Sequence, residues 1–379
     1  MTKYLNLFFR ARIASSTITA FHKRYSPAFP TLAEQSKPPH HVSLEQWRPI
    51  LPISQRLSHL PRLYARLSKL KLSALVVVTS MAGFHAAPHP TLPLFLWTVG
   101  GVALSSFSAN ALNQWLEAPF DSQMSRTRMR PLPTHALSSF HAFGFAGLCG
   151  ITGVALLTVK VGWLAAMLAG SNIMLYAAAY TPLKRASIVN TWVGAVVGAI
   201  PPMIGYVAAD GGAFSWGCLS LGALLYCWQF PHFNSLSWNL RGDYSRAGYR
   251  MAAVLDPVLT VKTALRHSWA LIPVSGLIYW VGVCEDPLWL VDSTALNSVM
   301  IYLAYKFKRS PSKDTARKLF FFSLIHLPLL LILLLLHKKK LYPHNSNNNN
   351  NNNNNGKRIE DDGAVETEKG SALGSIAIK

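Results

Sequence analysis

The chain has 379 residues, of which half are hydrophobic and only 14% are charged. A soluble protein usually carries about a quarter charged residues, so this composition excludes an ordinary soluble domain and favours a polytopic membrane protein. The formal net charge is +20, but the basic residues lie mainly in the N-terminal segment and between apolar stretches. Because no nucleic-acid-binding motif accompanies them, a nucleic-acid partner is not expected.

The N-terminal residues 1–34 predict a mitochondrial transit peptide. Basic and apolar residues alternate there without an acid until Glu34, a pattern typical of amphipathic import sequences. A disordered basic tail is the alternative. Residues 35–64 begin with a stretch rich in Pro, His and Ser and predict a linker. Residues 338–379 contain an Asn run followed by an acidic stretch and predict a disordered tail.

The intervening residues, 65–337, predict an all-α transmembrane domain. They hold nine apolar segments, each about as long as a helix that crosses a bilayer. The segments are 70–87, 93–117, 135–158, 161–180, 188–209, 214–236, 266–284, 289–306 and 319–336. The lipid bilayer is therefore an expected partner of the chain.

The loops between the segments differ in charge. Those after the second, fourth, sixth and eighth segments are rich in Lys and Arg, whereas the alternate loops hold Lys160 and a few acids. By the positive-inside rule the basic loops face the mitochondrial matrix. The odd number of segments places the C-terminus on the other side, where the lysines at 338–340 conflict with the rule.

A polar motif closes the second segment. Asn113, Glu117 and Asp121 are spaced by four residues, so on a continuous helix they share one face. Pro119 is expected to end or kink that helix near Ala118 and leave Asp121 at the loop entrance. Three arginines follow, at positions 126, 128 and 130. Oxygen ligands next to arginines suit a metal-bridged polyphosphate.

A second polar motif follows the sixth segment, on the same predicted face. Asn239 and Asp243 repeat the spacing of four residues, and each motif could hold a Mg²⁺ ion completed by water and phosphate. Taken singly, these features have ordinary explanations. The arginines could be inside-positive residues, Asp243 a solvated loop acid, and His232, after the helix-breaking Pro231, a structural histidine. The duplicated spacing favours the chemical interpretation.

The motif Asn113-x-x-x-Glu117-x-x-x-Asp121, with the basic loop after it, resembles the first Asp-rich motif of intramembrane aromatic (UbiA-like) prenyltransferases. Three further strings, 180–185, 190–202 and 228–234, more closely resemble the protoheme IX farnesyltransferases, or heme O synthases. The resemblance covers about residues 65–335. The middle acid is Glu where the wider family usually has Asp, and the second motif has one clear carboxylate, which leaves the number of metal ions open.

The resemblance implies nine transmembrane helices around a central cavity in the mitochondrial inner membrane. It also implies transfer of farnesyl from farnesyl diphosphate to a vinyl group of heme b, with Mg²⁺ as cofactor. The product, heme O, would pass to the enzyme that makes heme A for cytochrome c oxidase. The implied catalytic and metal-binding residues are Asn113, Glu117, Asp121 and Asp243, with Asn239 as a further metal ligand. The implied substrate-binding residues are Arg126, Arg130, Tyr180, Lys184, Asn190, His232 and Tyr244.

Three other functions stay open from the sequence. A prenyltransferase of quinone biosynthesis would use a phenolic acceptor in place of heme. A transporter could also carry acids within membrane segments, but these acids cluster at helix ends and not at the midplane, where transporter sites lie. A noncatalytic heme chaperone would bind heme without consuming farnesyl diphosphate.

Overall fold

The computed structural model describes residues 53–338. The predicted transit peptide, the first part of the predicted linker and nearly all of the predicted tail lie outside these residues. The described end of the linker contains a helix, α1 (Ile53–Leu67), which has no acidic residue. The domain boundaries stay predictions.

Between residues 53 and 338 the chain forms helices and no β-strand. After α1 come α2 (Leu70–Ala86), α3 (Leu92–Asp121), α4 (Ser139–Lys160), α5 (Trp163–Met174), a π-helix (Leu175–Tyr180), α6 (Thr181–Ala186), α7 (Asn190–Ala209), α8 (Trp216–Asn239), α9 (Arg241–Arg246), α10 (Ala252–Leu255), α11 (Pro257–Trp280), α12 (Leu288–Arg309) and α13 (Lys313–Leu336). The all-α prediction is confirmed for this part of the chain.

Five helical runs in the described range are long and apolar enough to cross a membrane: Leu92–Asp121, Ser139–Lys160, Trp163–Ala186, Asn190–Ala209 and Lys313–Leu336. The count is six if His59–Leu67 of α1 and Leu70–Ala86, which are bent by 57° at their junction, form one span. The long helices α8, α11 and α12 overlap the remaining predicted segments but carry more polar residues. A membrane protein with several spans is therefore supported, and the count of nine stays a prediction.

The helix end expected near Ala118 is wrong, because α3 continues through Pro119 to Asp121, but Asp121 stands at the loop entrance as expected. Helix α8 likewise continues through Pro231 to Asn239. A proline removes one backbone donor but leaves the rest of the helical ladder, and packing against neighbouring helices holds both sides helical. The seventh segment also begins earlier than predicted. Helix α11 starts at Pro257, where the Asp256 carboxylate caps it by accepting a hydrogen bond from a backbone N–H at 2.8 Å.

Helix α7 is central and is buried along most of its length. Where it crosses α2, two glycines let the backbones touch. A Cβ added at Gly205 would lie 1.9 Å from the Ser80 carbonyl oxygen, and one at Gly83 would lie 2.1 Å from that of Pro202. Small residues permit this close approach between membrane helices. The crossing fixes α2, whose first turn lies beside the polar motif of α3.

The opposite end of the bundle carries a second polar contact. His337, just after α13, places Nδ1 2.8 Å from the Asp286 carboxylate and Nε2 3.1 Å from that of Asp292. The hydrogen bond to Asp286, with that to Asp292, raises the pKa of His337 above its ordinary value. Next to it, the Lys338 ammonium donates to two backbone carbonyls at the end of α2, both at 2.6 Å. These contacts fasten the last helix to its neighbours.

Candidate active site

The first polar motif lies on one face of α3, in its last turns. Asn113, Glu117 and Asp121 are buried, with 0%, 6% and 1% of their surface exposed. They share a face because α3 continues to Asp121, which keeps the four-residue spacing in phase with the helical repeat. The predicted cluster of oxygen-bearing side chains is therefore present.

Each carboxylate of this motif is paired with a basic group from another part of the chain. Lys184 Nζ lies 2.5 Å from Glu117 Oε1, and Arg130 Nη1 lies 2.6 Å from Asp121 Oδ2. Both acids are nearly shielded from solvent, and burial of an unpaired carboxylate would be costly. The pairs therefore let this helix end keep two charged acids, and they place Lys184 and Arg130 where a diphosphate could meet them.

Asn113 is held on both sides of its amide. Its Nδ2 donates to Thr181 Oγ1 at 3.1 Å, and that hydroxyl donates to the Tyr176 carbonyl oxygen at 2.8 Å. Its Oδ1 accepts a hydrogen bond from Lys69 Nζ at 2.5 Å. Sequence reasoning missed Lys69, because a lysine at the start of an apolar segment is also what the positive-inside rule predicts.

The π-helix positions a pair of aromatic rings beside the ionic cluster. The rings of Tyr176 and Tyr180 are 5.4 Å apart, and Lys184 Nζ lies 4.4 Å from the centre of the Tyr180 ring. A Cβ at Gly194 would come within 2.7 Å of that ring, so the glycine leaves the room that the ring needs. Short π-helical segments are frequent at functional sites. The Tyr180 ring thus makes a cation–π contact with a basic group of the cluster.

The second motif packs against the loop that follows the first. Asp243 Oδ2 accepts a hydrogen bond from Ser125 Oγ at 2.8 Å, and Asp243 also pairs with Arg246. Asn239 ends α8 whereas Asp243 lies in α9, so a break separates the two residues. Asn239 Nδ2 donates to the backbone of α8, but its Oδ1 is buried without a hydrogen-bond partner. The structure thus brings the second motif against the loop that follows the first.

A small apolar core joins the loops of the two motifs. It contains Met124 from the first loop and Tyr244, Tyr249 and Met251 from the second. The Tyr249 hydroxyl is buried without a partner. Burial, with the nearby Glu117 carboxylate adding to it, raises the pKa of the Tyr249 phenol, so the group stays protonated. Tyr249 is therefore a hydrogen-bond donor at the site, which no spacing in the sequence indicated.

The other predicted residues have different surroundings. The Asn190 amide donates to two backbone carbonyls, one in the loop before α7 and one in the loop after α9, at 2.6 and 3.1 Å. Arg126 is exposed in the loop after α3. His232 stacks on Trp228 with ring centres 4.6 Å apart, and its Nδ1 lies 2.8 Å from Ser323 Oγ. The contacts of His232 are thus made by α8 and α13, and not by the elements that carry the ion pairs of the first motif.

The oxygen-bearing side chains of the two motifs suit Mg²⁺ better than a metal whose ligands all come from the protein. Within residues 53–338, no group of three or more His, Cys, Asp or Glu side chains could hold a metal ion. Mg²⁺ prefers oxygen ligands and is usually bound by one or two carboxylates, with waters and substrate phosphates completing the shell. The two motifs offer such oxygens, including the unpartnered Asn239 Oδ1. The residues therefore fit an ion that a diphosphate completes.

Comparison with known proteins identifies the family of the chain. Residues 74–325 match the UbiA prenyltransferase family. The chain is 50% identical over 274 residues to "Protoheme IX farnesyltransferase, mitochondrial" of Homo sapiens. The aligned region covers 72% of this chain and 61% of that protein. It is 42% identical to the protein of the same name from Yarrowia lipolytica, over 70% of this chain and 59% of the relative. The chain thus spans about three-fifths of the length of these curated relatives.

Solved structures share the fold at low sequence identity. A structure of digeranylgeranylglyceryl phosphate synthase in membranes superposes with a TM-score of 0.63 at 15% identity, covering 75% of this chain and 98% of that one. A UbiA homolog from Archaeoglobus fulgidus bound to DMAPP and Mg²⁺ gives a TM-score of 0.54 at 13% identity, covering 72% of this chain and 98% of that one. These similarities establish the fold alone.

Proposed function

Because the chain belongs to the UbiA prenyltransferase family, we propose that it transfers a farnesyl group from farnesyl diphosphate to a vinyl group of heme b and forms heme O. The observation that carries the proposal is the buried ionic cluster on α3, joined to the second motif by the hydrogen bond from Ser125 to Asp243. The choice of heme as acceptor is supported by the relatives that are 50% and 42% identical and are named protoheme IX farnesyltransferase.

The proposed setting is the mitochondrial inner membrane, with nine spans and the site facing the matrix. The relatives are named mitochondrial, and the loops that carry both motifs are rich in basic residues. An enzyme that converts heme O to heme A is the proposed consumer of the product. The transit peptide predicted for residues 1–34 belongs to the same proposal.

Lys184 and Arg130 are proposed to hold the diphosphate, since each places a charged donor beside an acid of the motif. Arg126, exposed in the adjoining loop, would add a contact at the site entrance. Asn190 and Tyr244 would act by fixing the loops that they join. The proposed Mg²⁺ ligands are Asn113, Glu117, Asp121, Asn239 and Asp243. Mg²⁺, when bound, would neutralise negative charge on the diphosphate.

In the proposed reaction the bond between farnesyl C1 and the diphosphate oxygen breaks, and its electron pair leaves with diphosphate. The basic side chains oppose the charge that develops there, which is the main contribution expected of such a site. The faces of Tyr176 and Tyr180 would stabilise the allylic cation. The vinyl electrons of heme b form the new carbon–carbon bond, and water then adds and loses a proton. His232, whose ring is held by Trp228 and Ser323, is proposed to contact heme b.

The test uses the purified full-length chain in detergent with heme b, farnesyl diphosphate and Mg²⁺, followed by chromatography and mass measurement of the extracted hemes. We expect a more hydrophobic product of heme O mass that disappears when a chelator removes the metal. Parallel reactions contain hydroxybenzoate and a polyprenyl diphosphate. A folded sample that prenylates the phenol and leaves heme b unchanged would refute the choice of acceptor.

A further inference from the structure

Lys69 stands at a strained junction of the chain. It lies between α1 and α2, which are bent by 57°, and its backbone is left-handed, with φ 49° and ψ 52°. Such a conformation is unusual for a residue other than glycine. Strained backbone residues cluster at functional sites, where the surrounding structure holds them in place. The side chain of Lys69 is therefore a candidate for a functional role.

The Lys69 ammonium faces a neutral partner. It donates to the Asn113 amide oxygen at 2.5 Å, whereas Lys184 and Arg130 each face a carboxylate. The motif thus gathers three basic groups around two acids. A charge in a buried site needs a counterion. Lys69 is thus the basic group at this motif that pairs with an amide and not with a carboxylate, which suits it to receive an anionic ligand.

Anchoring the bend does not require this ammonium. Gln114 Nε2 on α3 donates to the carbonyl oxygens of Arg66 and Leu67 at 2.8 and 2.6 Å, directly before the junction. The hydroxyl of Ser73 donates to the Ser68 carbonyl oxygen at 2.8 Å, directly across it. Since neutral groups already fix the backbone on both sides, a purely structural role would not explain a lysine here.

We propose that Lys69 binds the diphosphate group of the prenyl substrate. The inference rests on the proposed function, because it takes the anion to be a diphosphate. Asn113, fixed by Thr181, holds the Lys69 ammonium beside the other two basic groups. On binding, the ammonium passes from this amide to a phosphate oxygen, which frees the Asn113 oxygen for other contacts. The bend between α1 and α2 serves to bring a lysine from the chain before the first apolar helix into the site.

The test measures binding of inorganic pyrophosphate to the purified full-length protein by calorimetry, at a fixed excess of Mg²⁺. Loss of a hydrogen bond to a charged group predicts an affinity about tenfold to a hundredfold weaker for Lys69→Met. Lys69→Gly, which removes the charge but suits the left-handed backbone, should weaken binding equally. Lys69→Arg should restore most of it. The control is Lys71→Met, because Lys71 is exposed two residues further along, and its affinity should stay within about twofold of the parent chain.

The outcomes separate this inference from the proposed function. If the parent chain binds pyrophosphate and Lys69→Met binds it as well, Lys69 is not a diphosphate ligand and the inference is overturned, whereas the proposed function stands. If Lys69→Gly binds normally and Lys69→Met does not, the backbone and not the charge is responsible, which also overturns it. If the folded parent chain does not bind pyrophosphate with Mg²⁺, both proposals fail.

Discussion

Replacing Lys184 by Met removes the basic partner of Glu117 and leaves a buried carboxylate. The two side chains are 11% and 7% exposed, and their charged atoms are 2.5 Å apart. Breaking a buried ion pair by removing one partner typically costs about 3–5 kcal/mol. Lys69 and Arg130 also act on Glu117, so we expect the lower end, about 3 kcal/mol. Since whole proteins are stable by about 5–15 kcal/mol, the loss should be readily measured.

A second substitution distinguishes lost charge pairing from lost packing. Glu117→Gln in the Lys184→Met background removes the unpaired charge, so the double variant should recover about 2 kcal/mol relative to the sum of the two single losses. The exposed pair of Asp314 and Lys318, whose side chains are 72% and 66% exposed, serves as control. Its coupling energy should be about 0.5 kcal/mol or less.

The assay follows denaturant unfolding of each variant in mixed micelles by tryptophan fluorescence, and formation of heme O is measured on the same samples. The double variant should regain stability but not activity, because neither the metal ligand nor the diphosphate partner is restored. Losses that add within about 0.5 kcal/mol would show that Lys184 and Glu117 act independently. The buried ion pair would then not be what holds this end of the site.

The remaining predictions concern the metal, the buried phenol and the far end of the bundle. Asp121→Ala and Asp243→Ala should abolish heme O formation while the protein still inserts, with Asp314→Ala as the exposed control; normal turnover in either variant would contradict the metal assignment. Tyr249→Phe should lower kcat about tenfold with a smaller change in unfolding, because the buried hydroxyl has no partner to lose; an unchanged rate would exclude it from the site. Because the pKa of His337 is raised in the folded protein, its stabilisation should be complete below the unfolded pKa of about 6.5 and fade as pH rises above it. His337→Gln should therefore lower the unfolding temperature more at pH 5.5 than at pH 8, and equal effects at both values would contradict this.

The first motif could be predicted because its information is local. A four-residue spacing on an apolar segment defines a helix face whatever the rest of the chain does, so Asn113, Glu117 and Asp121 were found from the sequence and lie where the spacing puts them. The helix end expected near Ala118 was wrong because local propensity was taken to decide the effect of Pro119. In a packed bundle, tertiary contacts hold the helix on both sides of a proline.

Residues that reach the site through distant contacts could not be predicted. Lys69 lies 44 positions before Asn113 along the chain, and nothing in its own neighbourhood marks it apart from ordinary topology-determining lysines. Tyr249 becomes distinctive only because its hydroxyl is buried without a partner, and burial depends on the packing of two loops. Asn239 and Asp243 show the reverse: their spacing indicated one helix face, but a break after Asn239 places them on separate helices.

The charges of the site explain why metal and diphosphate should bind together. Lys184 and Arg130 each pair with a carboxylate, whereas Lys69 contacts a neutral amide. A diphosphate brings more negative charge than one further basic group can balance, and Mg²⁺ alone would add positive charge to a motif whose two acids are already paired. Only the two together approach neutrality, which is what a poorly solvated site requires. Each should therefore strengthen the binding of the other by the same factor, and pyrophosphate titrations with and without Mg²⁺ measure that factor. Equal affinities would mean that solvent, and not the metal, balances the charge.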